Sequence, residues 1–172
     1  MRIDPKVEDP TRTMLDHVLK DKLEEIPKVV EKIGDARFRE CIGLCVTISG
    51  YIAVDVLGPE WPTEAGLREL AKGVARAQIN VELDEAQVFD FLRKSAVGFQ
   101  RVDDVFPSGR EIAVLPIVMT AALMLAFHPQ SKKVWAYLDD IEEALELSDS
   151  VKPETLPAMI LRAHRAEAAK AR

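Results

Sequence analysis

The chain has little of what usually announces a reaction. Its 172 residues include two cysteines and three histidines, and no Glu is followed three positions later by His. The paired Glu-x-x-His pattern of di-metal bundles is therefore excluded. A phosphate-binding Walker loop, a glycine-rich dinucleotide turn and a G-x-S-x-G elbow are also missing. Cys41 and Cys45 are too few for a disulfide framework, and no third Cys or neighbouring His completes a tetrahedral site. Set among Ile42, Leu44, Val46 and Ile48, they read as buried, reduced, small hydrophobes. No metal and no cofactor is expected.

Basic charge is scarce too. Lys and Arg number 23 against 29 acids, a net charge of -6, and no basic face segregates along the chain. Such a surface repels phosphate backbones and anionic membranes, so neither is an expected partner. The opening MRIDPKVEDP lacks the apolar core of a secretory signal. Together with the cysteine usage, this leads to an expectation of a reducing, cytoplasmic setting. Strand patterning is confined to a brief alternation over 79–83, too short for a sheet.

What the chain does have is apolar sequence at helical spacing. Hydrophobic residues make up 48% and charged residues 30%, the balance of a globular protein, and the length suits one domain. We expect a single helical domain over 1–172, with frayed ends at 1–9 and 165–172. The run 112–127, IAVLPIVMTAALMLAF, is the oiliest part. It falls short of the roughly 20 residues that cross a bilayer, lacks an aromatic belt and contains Pro116. Ser108 and Glu111 stand at capping-box spacing before it, and His128-Pro129 stops it. Pro116 implies either a kink or a restart with Pro116 in the first turn. A helix apolar on every side must be wrapped by others, so 111–127 is expected to be the central post.

The remaining segments supply the wrapping. Asp9-Pro10 can open a helix striped by Leu15, Val18, Leu19, Leu23 and Ile26, which Pro27 breaks or bends. A short segment with Val29, Val30 and Ile33 ends at Gly34. A second apolar helix covers 35–57, with Ser49 and Gly50 small enough to admit a close neighbour. Thr63 caps a helix with Leu67, Leu70, Ala71 and Val74 inward. Asp84 and Gln87 form a capping-box pattern, with Leu83 and Val88 as its staple. Ser131 caps a helix carrying Val134, Trp135, Leu138, Ile141 and Leu145, and a last helix starts near Pro153 or Pro157. The expected fold class is all-α, a compact bundle of about six to eight helices around two buried apolar ones.

Candidate functional residues follow from charge and apolar surplus. The acids of DDIEEALELSD, 139–149, read as a solvated helix face that a partner or the basic tail would neutralise. Asp139, Asp140 and Glu143 are therefore candidate interface residues, along with Met159, Ile160 and Arg162 of the last helix. Trp61 joins them as an interface anchor, although its first reading is a staple of its loop onto the core. Met119, Leu123, Met124 and Phe127 are the candidate lining of a pocket at the Pro116 kink. His17 and Asp21, four apart, read as an ordinary surface contact, and Asp103 and Asp104 mark a loop beside the apolar run. The expected function is a non-enzymatic protein-interaction or regulatory bundle. Its partner is another protein or a second copy of itself, the latter as a two-fold homodimer. The alternative is a sensor of a small apolar ligand, and an enzyme without a recognisable motif ranks third.

Overall fold

Asp4 and Pro5, rather than Asp9 and Pro10, open the first helix. In the computed structural model, which describes residues 3–58, 62–77, 79, 81–96 and 114–147, α1 spans Pro5–Leu19. The Asp4 carboxylate accepts from the Lys6 amide at 2.9 Å, and Pro5 stands in the first turn. Both Asp-Pro pairs satisfy the same local rule, and the earlier one adds a turn that buries Val7. Pro10 then lies inside α1, where it lacks only the N–H that would have met the Lys6 carbonyl.

Asp21 follows in a left-handed conformation, φ 57°, and a 3-10 turn over Leu23–Glu25 leads into α2, Ile26–Ile33. Pro27 thus sits in the first turn of a helix instead of breaking one. Gly34, at φ 80°, ends α2, and α3 runs over Asp35–Leu57 until Gly58 at φ 89°. The Thr63 hydroxyl accepts from the Gly66 amide at 3.1 Å to cap α4, Glu64–Ala75. The Asp84 carboxylate does the same for Gln87 at 3.3 Å ahead of α5, Glu85–Ala96. The final described helices are α6, Leu115–Phe127, and α7, Val134–Leu147. The cap position of α7 therefore falls at Lys133, two residues beyond Ser131. Among the described residues there are seven α-helices and no strand, and the chain is an all-α bundle.

The centre differs from expectation in one respect. Pro116 occupies the first turn of α6, so the apolar run holds a helix start and not a kink. The start signals Ser108 and Glu111 lie outside the described residues. At 13 residues α6 is short, and α3, at 23, is the element long enough to touch all its neighbours. It packs against each of the other six helices, whereas α6 packs against α1, α3, α4 and α7. By length and composition α3 could also cross a bilayer. Here Phe38, Cys41, Ile42, Cys45, Ile48 and Ile52 are spent on other helices.

The small residues of α3 set its closest approaches, as their size suggested. A Cβ placed on Gly50 would stand 3.0 Å from the Ser95 carbonyl of α5. Beside it, the Ser49 hydroxyl meets Thr120 of α6 at 2.8 Å.

Candidate functional site

Of the seven described α-helices, α2 buries the fewest side chains. Its apolar residues, Ile26, Val29, Val30 and Ile33, follow helical spacing and should form one inward stripe. Only Ile26 is buried; Val29, Val30 and Ile33 are half-buried, and Lys28, Glu31 and Lys32 are exposed. The residue preceding the 3-10 turn by two and the residue ending α2 both adopt positive φ, at Asp21 and Gly34. These turns lay the helix across the flank of α1 and the start of α3, both of which it contacts.

Clefts lie on either side of it. One, of about 580 Å³, has an apolar floor of Ile26, Val30, Phe38 and Val114, with Lys28, Glu31 and Asp35 among its polar lining. The other, of about 490 Å³, opens between α1 and α2 and is walled by Pro5, Pro10, Val29 and Ile33. Its charged lining comprises Lys6, Lys28 and Lys32 against Asp9 and Glu25. Lys28 is committed to Glu25 at 2.7 Å and holds that carboxyl below its ordinary value. His17 also lines this cleft, and its Nδ1 is enclosed without a hydrogen-bond partner among the described residues.

The acidic face of α7 is largely stitched to its own chain. Arg12 of α1 reaches Asp139 at 2.7 Å and also bonds Glu142, which is 5% exposed. Burial pushes the Glu142 carboxyl above its ordinary value, against the pull of Arg12 and with Glu8 and Asp139 adding like charge. Lys132 pairs with Asp140, and the Ile3 amide donates to Glu146 at 2.9 Å. Tyr137 donates to Asp55 of α3 at 2.7 Å, and burial followed by that carboxylate raises its pKa.

Buried nucleophile-type groups are engaged in packing. Thr120 lies within reach of the Pro116 carbonyl at 2.7 Å and the Cys45 carbonyl at 3.0 Å. Its single proton goes to one of these, so Ser49 is the donor between the two hydroxyls. Cys41 and Cys45 are free and buried, and desolvation raises both pKa values. The Cys41 thiol points at the Val7 carbonyl, 3.6 Å away. Among the described residues no three His, Cys, Asp or Glu side chains group as metal ligands.

Of the residues singled out in the sequence, Met119, Leu123 and Met124 are wholly enclosed, while Phe127 is half-buried with its ring against Gly73. None of the four lines the two clefts beside α2. Asp139, Asp140 and Glu143 are exposed on α7, the first two engaged by Arg12 and Lys132. Trp61, Asp103, Asp104, Met159, Ile160 and Arg162 lie outside the described residues. The sequence reading missed Arg12, Lys6 and Lys32, whose positions matter only once α1 meets α7 and α2. It placed His17 on a wet face, and the absence of any apolar reason for His17 in the α1 stripe hid the enclosure of its Nδ1 on an otherwise half-buried side chain. No family model, curated protein or solved structure matches this chain.

Proposed function

We propose that this chain is a non-enzymatic protein-interaction or regulatory bundle whose working surface is α2 and the clefts beside it. One observation carries the reading: an amphipathic helix of eight residues buries a single side chain and leaves three apolar ones half-covered between two clefts. Partial apolar exposure rimmed by charge is the composition of a surface that trades partners. The partner is another protein or a second copy of this chain. A cytoplasmic setting belongs to the proposal and is supported by the free, buried thiols of Cys41 and Cys45.

A second reading, small-ligand binding, is favoured by the size of the clefts. Volumes of about 580 and 490 Å³ fall within the range of small-molecule sites. The clefts beside α2 suit it better than the enclosed Met119, Leu123 and Met124.

Site-specific photocrosslinking in the native cell tests the first reading. A photoreactive residue replacing exposed Glu31 on α2 should yield a discrete adduct that the same residue replacing exposed Glu69 on α4 does not. An adduct of doubled mass identifies a second copy. No adduct, or equal adducts from both positions, would overturn the assignment of α2 as the working surface.

A further inference from the structure

We infer that the cleft between α1 and α2 binds a small amphipathic carboxylate, an organic acid with an apolar body. The inference rests on the reading of α2 as the working surface and names what one side of it takes. Charge selects an anion. On a chain of net charge -6, this cleft gathers three lysines against two acids, and the Lys28–Glu25 pair cancels. Lys6 and Lys32 remain, one from each wall; among the described residues no carboxylate is in salt-bridge range of either, and Asp9 is the one acid of the lining outside that pair. Two uncommitted ammonium groups facing one cleft from different helices are rare here, since most other basic side chains of the described residues are paired.

The walls select the rest of the ligand. Pro5 and Pro10 of α1 line the cleft with Val29 and Ile33 of α2; Pro5 is exposed and the other three are half-buried. They suit a short hydrocarbon body, whose burial removes apolar area from water. His17 adds a polar requirement. Its enclosed Nδ1 lacks a partner among the described residues, which costs free energy that a carboxylate or hydroxyl oxygen seated against a reoriented ring removes. The cleft on the far side of α2 lacks this combination, because Glu31 and Asp35 there outweigh Lys28.

Titration calorimetry of the full chain with octanoate, 1-octanol and acetate decides the matter. Octanoate should bind, and 1-octanol and acetate should each bind at least about tenfold more weakly, one lacking the charge and the other the body. The double variant Lys6→Gln, Lys32→Gln should weaken octanoate about tenfold while leaving the 1-octanol response and the thermal midpoint unchanged, because both side chains are exposed. Absence of octanoate binding, equal binding of 1-octanol, or undiminished octanoate binding by the double variant would each overturn the assignment. If octanoate fails while the Glu31 crosslinker still yields its adduct, the carboxylate assignment falls and the working surface stands. If the adduct is absent as well, both fall.

Discussion

The hydroxyls of Ser49 and Thr120 meet 2.8 Å apart where α3 crosses α6, both without solvent exposure. The Ser49 hydroxyl relies on Thr120, whereas Thr120 also reaches the Pro116 and Cys45 carbonyls. Thr120→Val keeps the shape, strands the Ser49 hydroxyl and removes the bond to a backbone carbonyl. It should cost about 1–3 kcal/mol. The double variant Ser49→Ala, Thr120→Val should cost less than the two single changes added together. Urea unfolding of the four proteins checks this, and strict additivity would show that the hydroxyls are not coupled.

Gly50 and Gly73 make a matched pair of glycine tests. Replacing a mid-helix Gly by Ala ordinarily gains up to about 1 kcal/mol. At Gly50 the new methyl would stand 3.0 Å from the Ser95 backbone carbonyl, which cannot move without shifting α5. At Gly73 it would meet Phe127 Cζ at 2.8 Å, the tip of a half-buried ring that can turn aside. Gly50→Ala should therefore lower the unfolding midpoint, by about 1–3 kcal/mol of stability, and Gly73→Ala by clearly less. The reverse order would mean that α5 yields more easily than the ring.

Glu142 should leave a signature in the pH dependence of stability. Its carboxyl is raised in the folded state above the ordinary 4.5, so the folded chain holds that proton more tightly than the unfolded chain. The corresponding stability is complete below the unfolded value and is lost as pH rises through the folded one. Glu142→Gln has no such proton, so its stability relative to the native chain should rise from about pH 4.5 upward. Chemical unfolding across that interval measures the difference, and parallel curves would contradict it.

Cys41 and Cys45 should resist native labelling by a polar maleimide, since both are enclosed and burial keeps the thiols protonated. Replacing both by Ala should lower stability through small cavities. Rapid modification without unfolding would show that α3 opens readily, from α1 if at Cys41 and from α6 if at Cys45.

Most of the architecture could be read along the chain because its rules are local. The bounds of α3, the Thr63 and Asp84 caps and the buried set Leu67, Leu70, Ala71 and Val74 all depend on residues within a few positions of one another. Two equal local signals could not be ranked that way, so Asp9-Pro10 stood in for Asp4-Pro5. The Arg12 bonds to Asp139 and Glu142 join α1 to α7 across more than 120 positions, and no spacing rule sees them. The clefts beside α2 were hidden for a related reason. The stripe Ile26, Val29, Val30, Ile33 predicts an inward face, while its depth of burial depends on how far α1 and α3 leave room.

Because α3 touches every other described helix, it cannot open without disturbing the bundle as a whole. Its central amides, around Ile48 to Ile52, should exchange hydrogen only through global opening and so report the stability of the entire domain. The amides of α2, which buries Ile26 and packs Val29, Val30 and Ile33 against the core only in part, should exchange through a separate opening of lower energy. The molecule thus keeps a rigid axis and a loosely held flank within one short chain, and a ligand or partner that clamps the flank would raise its protection while leaving that of the axis tied to overall stability.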